Sequence, residues 1–168
     1  MDKDPEGARA LNILASKSLA KLCAERSILL IYISTDYVFS GKEGEAPYSA
    51  DATTGPPNLY GQTKLDGEHA VLGEYKAAGK EGLGVVLRVP VLYGHAEMPE
   101  ESAVNVLMDS VWKAQEDGAK IKMDNWSLRF PTNTEDVARV CRGMSAARWI
   151  FFGLPQTRAI IADQLSLP

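Results

Sequence analysis

Tyr60 and Lys64 are four residues apart and form the pair in this sequence best suited to proton transfer. At that spacing two side chains project from one face of a helix, one turn apart. A free phenol has a pKa of about 10, which is too high for an efficient acid or base near neutral pH. A fixed ammonium group favours the phenolate and so lowers that pKa. The pair therefore predicts a site that gives or takes a proton at an alcohol or a carbonyl group.

Two other segments bring polar groups toward the same predicted site. Ser34, Thr35 and Asp36 follow a buried strand, and open α/β sheets bind ligands at the carboxyl ends of their strands. The hydroxyl of Thr35 would hold a substrate oxygen by a hydrogen bond. Residues 88–94, Arg-Val-Pro-Val-Leu-Tyr-Gly, close a second strand in the same manner. The Tyr-x-x-x-Lys spacing alone is weak evidence, but its combination with two strand ends is much more specific.

The elements that must position these residues alternate between helix and strand. Residues 4–6, Asp-Pro-Glu, have the pattern of a helix start, and apolar or small residues then recur at helical spacing. Those recurring positions are Leu11, Leu14, Ala15, Ser18, Leu19 and Leu22. Residues 28–33 are continuously apolar, which predicts a strand buried on both faces of a parallel sheet. Asn58 is predicted to cap a helix over residues 60–75, and residues 83–91 form the next strand, which completes a β-α-β unit.

The second half of the chain carries weaker signals. Residues 103–112 have the apolar spacing of an amphipathic helix, and Ile121 with Met123 predicts a short strand. The pattern Thr132-x-x-Glu135 is a capping box that opens another helix, with Val137, Val140 and Cys141 facing inward. Residues 149–153 suggest a strand and residues 158–165 a short helix.

Composition excludes several classes of protein. The chain has 168 residues, and its 18 basic and 22 acidic residues give a net charge of −4 without a basic run, which argues against nucleic-acid and membrane-surface partners. Its two cysteines and two histidines lack metal-site spacing, so no metal is expected. No apolar run is long enough to span a membrane, and no secretory signal follows Met1. We therefore expect a cytoplasmic protein of ordinary globular composition.

Two motifs resemble those of a known enzyme family. They are residues 33–41, Ile-Ser-Thr-Asp-Tyr-Val-Phe-Ser-Gly, and residues 58–68, Asn-Leu-Tyr-Gly-Gln-Thr-Lys-Leu-Asp-Gly-Glu. Both resemble extended short-chain dehydrogenases of the dTDP-4-dehydrorhamnose reductase type. Within that family the chain is most similar to the regulatory β-subunits of methionine adenosyltransferases. The segments that carry this narrower resemblance are residues 88–94, Glu100-Glu101-Ser102-Ala103-Val104, Asp124-Asn125-Trp126 and Arg129-Phe130-Pro131-Thr132.

The resemblance extends over residues 4–148 and implies an α/β fold, a partial Rossmann-like doubly wound parallel sheet with part of a small substrate-binding region. Residues 1–94 would be the C-terminal part of the NAD(P)-binding Rossmann domain. Residues 95–148 would be a partial RmlD-like substrate-binding region, and residues 149–168 a divergent tail.

The resemblance also implies roles for individual residues. The catalytic triad would be Thr35, Tyr60 and Lys64. The nicotinamide cofactor would contact Tyr60, Lys64, Pro90, Val91 and Leu92, and Lys64 would bond its ribose. The substrate pocket would include Asp36, Tyr37 and Arg129, and Asn12 would match an asparagine that some members use.

A glycine-rich phosphate-binding turn is not found among the 14 glycines. The closest cluster, Gly79-x-x-Gly82-x-Gly84, has the wrong spacing and precedes a strand, so we interpret it as a turn. We therefore expect the chain to lack the first half of the Rossmann domain. NADP(H) is the expected cofactor, with NAD as the alternative, and its affinity for this chain is expected to be weak.

Three functions are compatible with these observations. The first is a non-catalytic regulatory protein that binds NADP(H) and the catalytic subunit of methionine adenosyltransferase, and so modulates S-adenosylmethionine synthesis. The second is an NADPH-dependent sugar-nucleotide reductase, and the third is an inactive, incomplete gene product. Intact triad residues do not decide whether the protein is an enzyme, because the regulatory β-subunits keep them too.

Overall fold

The computed structural model describes residues 4–98, 101–102, 104–116, 120–122, 129–146 and 159–161. Its helices are α1 (Pro5–Arg9), which continues through a π-helical segment (Ala10–Ala15) into α2 (Ser16–Glu25), then α3 (Leu59–Ala77), α4 (Val106–Lys113) and α5 (Thr134–Ala146). Its strands are β1 (Leu30–Thr35), β2 (Gly84–Val89), β3 (Leu92–Tyr93), β4 (Thr132–Asn133) and β5 (Ala159–Ile161). In the described ranges the strands form two parallel sheets, with orders β1-β2-β5 and β3-β4.

The first helix begins where its capping pattern predicts. The Asp4 carboxylate accepts a hydrogen bond from the Gly7 amide at 2.8 Å, and Pro5 occupies the first turn. The helix face that packs inward is not the leucine-rich face that the sequence pattern predicts. Ala20 and Ala24 are buried, whereas Leu11 is 70% exposed. Small residues let α2 approach α3 closely, and the leucine side remains exposed in the described part of the chain.

The first strand starts two residues later than predicted. Ile28 belongs to the turn after α2, where its amide donates to the Cys23 carbonyl and its own carbonyl accepts from the Tyr75 hydroxyl. Those bonds are incompatible with a regular ladder at Ile28, so β1 runs from Leu30 to Thr35. The prediction that both faces are buried was also wrong, since Ile33 is 40% exposed.

One face of the main sheet packs on α2 and α3. Tyr32 of β1 and Val86 of β2 are register partners, and both contribute to a core with Val71 and Tyr75 of α3. Because side chains alternate along a strand, the next pair on this face is Ser34 and Arg88. The sheet therefore presents two polar side chains to α3 directly beyond its apolar core.

The second strand is shorter than its apolar run. Leu83 lies in a 3₁₀ turn (Glu81–Leu83), and β2 ends at Val89 because Pro90 has no amide hydrogen for the ladder. The chain then leaves the main sheet, and β3 pairs with β4 in the second one. Of the predicted strand 83–91, residues 84–89 therefore form β2, and Leu83, Pro90 and Val91 lie outside it.

Several predictions for the second half were wrong in detail. Asn133, not Thr132, caps α5, because its side-chain oxygen accepts from the Glu135 amide at 2.8 Å. Ile121 lies in no strand, and residues 159–161 form β5 where a helix was expected. On α5, Val137, Val140 and Cys141 are half-buried, in line with the predicted inward face.

Some predictions lie outside the described residues. They concern Glu100, Ala103, Met123, the segment 124–126 and the segment 149–153.

Candidate functional site

The candidate site lies where β1 and β2 end and α3 begins. Thr35 and Val89 are register partners at the last position of the two strands, so the parallel sheet brings both chain exits to one edge. Asn58 starts α3 by accepting a hydrogen bond from the Gly61 amide at 2.8 Å, which confirms the predicted cap. The helix therefore begins at Leu59, one residue before Tyr60.

Gly61 allows Tyr60 to lie against the loop after β1. A side-chain carbon at Gly61 would overlap with the Tyr37 carbonyl group, so only glycine fits this approach. The rings of Tyr37 and Tyr60 meet edge to face, with 6.0 Å between their centroids. A residue predicted to face the substrate thus contacts a residue predicted to transfer the proton.

Thr35 is buried, and its hydroxyl is engaged locally. It accepts from the Tyr37 amide at 3.2 Å and donates to an Asp36 carboxylate oxygen at 3.1 Å. The Thr35 hydroxyl must therefore break its hydrogen bond to Asp36 before it can donate to a substrate oxygen. Desolvation raises the pKa of the Asp36 carboxyl, although this hydrogen bond from Thr35 opposes the rise.

Lys64 follows Tyr60 by one helical turn and is half-buried. Burial lowers the pKa of its ammonium group, and the nearby charge of Glu68 opposes that shift. The ammonium nitrogen lies over the Tyr32 ring, 4.2 Å from its centroid. Among the described residues no carboxylate forms a salt bridge with it.

A buried ion pair, which sequence reasoning missed, lies one turn beyond Lys64. The Glu68 carboxylate accepts from the Arg88 Nε at 3.0 Å and from its terminal nitrogen at 2.6 Å, and the Ser34 hydroxyl donates to the same carboxylate. Arg88 also donates to the Ala50 carbonyl at 3.0 Å, which ties the loop after β1 to the sheet. The sequence feature that could have revealed this ion pair is Arg88, a charged residue within an otherwise apolar strand.

The remaining predicted residues surround this edge. Arg129, which is 92 positions along the chain from Tyr37, donates to its hydroxyl at 3.4 Å, so the structure brings these two predicted substrate residues together. Pro90 is buried and Val91 and Leu92 are half-buried directly after β2. Asn12 lies further back, where its amide donates to the Thr63 hydroxyl at 3.1 Å.

The described residues contain neither a metal-binding cluster nor a membrane-spanning helix. No group of three or more His, Cys, Asp or Glu side chains in that part of the chain is arranged to hold a metal ion. None of the described helices has the length and apolar character needed to cross a membrane.

Residues 1–149 match the family described as the RmlD substrate binding domain. The chain is 46% identical over 150 residues to methionine adenosyltransferase 2 subunit beta from Rattus norvegicus, an alignment that covers 89% of the chain and 42% of that protein. It is 51% identical over 71 residues to dTDP-4-dehydrorhamnose reductase from Mycolicibacterium smegmatis, covering 42% of the chain and 22% of the reductase. The chain thus spans about two-fifths of the length of the β-subunits it matches.

Solved structures share the fold. A dTDP-4-dehydrorhamnose reductase from Clostridium acetobutylicum superposes with a TM-score of 0.66 at 28% identity, covering 88% of this chain and 49% of that one. A second dTDP-4-dehydrorhamnose reductase, from Bacillus anthracis in complex with NADP, has a TM-score of 0.58 at 24% identity and covers 85% of this chain and 48% of its own, a likeness in fold alone. These similarities confirm the predicted partial Rossmann-like α/β fold.

Proposed function

This chain belongs to the RmlD substrate binding domain family, and from that premise we propose that it is a regulatory protein that binds NADP(H) and modulates methionine adenosyltransferase. Its partner would be the catalytic subunit of that enzyme, and its effect would be on S-adenosylmethionine synthesis. The observation that carries the proposal is the 46% identity to methionine adenosyltransferase 2 subunit beta over 150 residues.

The residues at the strand ends fit the nicotinamide end of such a cofactor. Lys64 has an ammonium group that no ion pair in the described ranges consumes, so its protons are available to ribose hydroxyls. Tyr60 offers a hydroxyl one turn away, and Pro90 to Leu92 offer an apolar wall. When bound, the cofactor would supply a hydride donor or acceptor. The chain's own residues would orient it and exclude water.

The regulatory proposal predicts a complex with the catalytic subunit. We expect the purified chain to co-elute with that subunit in size-exclusion chromatography and to change the KM for methionine or the kcat of the synthetase. The catalytic subunit alone, with and without NADPH, is the control. Separate elution together with unchanged kinetics would contradict the proposal.

The cofactor proposal predicts a specific role for Lys64. Lys64→Met is expected to weaken NADPH binding by roughly tenfold or more, because a hydrogen bond from a charged group contributes about 1.5–3 kcal/mol. Lys76→Met is the matched control, since Lys76 is exposed on the same helix. NADPH fluorescence titration measures both variants. Equal NADPH affinity of Lys64→Met and the unmodified chain would argue against a cofactor site at Lys64. A submicromolar dissociation constant for NADPH and the unmodified chain would contradict the expected weak affinity.

A second candidate function is an NADPH-dependent reductase acting on a sugar nucleotide, which the contact between Tyr37 and Tyr60 and the position of Thr35 favour. In that reaction Tyr60 would give its proton to the carbonyl oxygen of the substrate while Thr35 held the same oxygen. Removing a general acid lowers rates by about 10²–10⁴-fold, so Tyr60→Phe should reduce NADPH oxidation with a 4-keto sugar nucleotide to that extent. Tyr93→Phe, at an exposed tyrosine, should leave it unchanged. No turnover above a blank without protein would exclude this function.

A further inference from the structure

The ammonium group of Lys64 makes a cation–π contact with the face of the Tyr32 ring, and we call this contact the seat of Lys64. The nitrogen lies 4.2 Å from the ring centroid, well inside the roughly 6 Å within which a cation is attracted to an aromatic face. Tyr32 is 8% exposed and Lys64 is half-buried, so water competes little for this contact. An aromatic face offers the cation an electrostatic partner that accepts none of its protons in a conventional hydrogen bond.

The hydroxyl end of the Tyr32 ring is fixed between the first helix and α3. Its hydroxyl donates to the Asn12 carbonyl at 3.2 Å, within the π-helical segment Ala10–Ala15, where carbonyl groups depart from the regular helical pairing. On the α3 side, a side-chain carbon at Gly67 would overlap with both that hydroxyl and the Asn12 carbonyl. The π-helical segment and Gly67 thus both contact the hydroxyl end of this ring.

The nearest acid does not replace the ring as a partner for Lys64. Glu68 lies one turn further along α3, but both of its carboxylate oxygens are bound to Arg88 and one also accepts from Ser34. Glu68 therefore acts on Lys64 only through its charge, which opposes the lowering of the ammonium pKa by burial. Tyr60 is a second titratable group near the Tyr32 ring. In the described part of the chain, the direct contact of the ammonium group is with the Tyr32 ring.

We propose that Tyr32 is a positioning residue, whose aromatic face seats the Lys64 ammonium group one helical turn from Tyr60 so that its protons point to cofactor hydroxyls. The purpose of this seat rests on the proposed binding of NADP(H), but the seat itself does not. The two parts can therefore be tested separately.

The seat is tested by a ring-current measurement that needs no cofactor. In the full chain with ¹³C-labelled lysine, the ε-methylene protons of Lys64, assigned with Lys64→Arg, should be shifted upfield, because the nitrogen next to them lies over an aromatic face. The shift should persist in Tyr32→Phe and disappear in Tyr32→Leu. An unshifted Lys64 signal, or a shift that survives Tyr32→Leu, would overturn the proposal.

The positioning role is tested by measuring the NADPH affinity of variants that carry different aromatic rings at position 32. Because the rings are of similar size, the substitutions leave no cavity. Tyr32→Phe should preserve NADPH affinity within about twofold, whereas Tyr32→pentafluorophenylalanine, whose ring face no longer attracts a cation, should weaken it by roughly two- to thirtyfold. In the Lys64→Met background the two rings should give equal affinity. A fluorinated-ring effect of the same size in both backgrounds would overturn the proposal.

The two tests also separate this inference from the proposed function. If Lys64→Met leaves NADPH affinity unchanged while the ring-current shift follows the Tyr32 ring, the seat stands and the cofactor role of Lys64 fails. If Lys64→Met weakens binding and the fluorinated ring has no effect, the cofactor role stands and the positioning role of Tyr32 is overturned.

Discussion

Glu68→Gln is expected to lower the free energy of unfolding by about 3–5 kcal/mol, because it leaves a buried guanidinium group without its counter-charge. Glu68 is 2% exposed and Arg88 6%, and the two side chains form a bidentate pair. The amide that replaces the carboxylate has the same shape but offers Arg88 one neutral acceptor. A loss of this size is a large share of the about 5–15 kcal/mol that stabilises an ordinary domain.

Urea unfolding followed by circular dichroism measures this loss. Arg139→Met is the matched control, since its ion pair with Asp136 on α5 is exposed and should contribute less than about 1 kcal/mol. The double variant Glu68→Leu with Arg88→Met should lose less than the sum of the single losses, because it removes both charges together. Equal losses for Glu68→Gln and Arg139→Met would show that the buried pair has no special role.

Gly67→Ala is expected to destabilise the chain by about 1–3 kcal/mol, although alanine is the better helix former. The added carbon would meet the Tyr32 hydroxyl and the backbone carbonyl of Asn12, and a backbone group cannot move aside cheaply. The expected consequence is that the first helix separates slightly from α3. Urea unfolding gives the free energy, and the Lys64 proton shift reports whether the Tyr32 ring has moved.

Gly73→Ala on the same helix is the matched control. A side-chain carbon at Gly73 meets no atom within 4 Å in the described structure, so the helix preference for alanine should stabilise the chain by about 0.8–1.0 kcal/mol. The two glycines should therefore respond with opposite signs. A stabilising Gly67→Ala would mean that the close approach of the two helices is not required.

Local signals predicted the starts of the first helix and of α3 correctly. Asp4 and Asn58 both cap the helices they precede, because a cap depends on an oxygen and an amide only three residues apart. Boundaries that depend on distant partners were missed. The start of β1 is set by the hydroxyl of Tyr75, which is 47 residues from Ile28, and no pattern around Ile28 contains that information.

The apolar spacing of the first helix illustrates the same limit. Periodicity identified the helix, but the side that packs is the one with Ala20 and Ala24, and Leu11 and Leu14 are exposed. Which face approaches a neighbour depends on the shape of that neighbour. Here α3 comes close because small residues face it, which apolar spacing does not reveal.

By itself, the sequence determined the alternation of helix and strand as far as β2, the caps Asp4 and Asn58, and the placing of Tyr60 and Lys64 on one face of the helix that follows the Thr35 strand. All of these depend on neighbours within a few positions. Only the tertiary structure decided what surrounds them: Tyr32 beneath Lys64, Arg88 bound to Glu68, and Arg129 at the Tyr37 hydroxyl. Such contacts are strong only between groups that are close in space and shielded from water. For residues 20 to 92 positions apart in the chain, the packing of the helices and strands decides both their distance and their exposure to water.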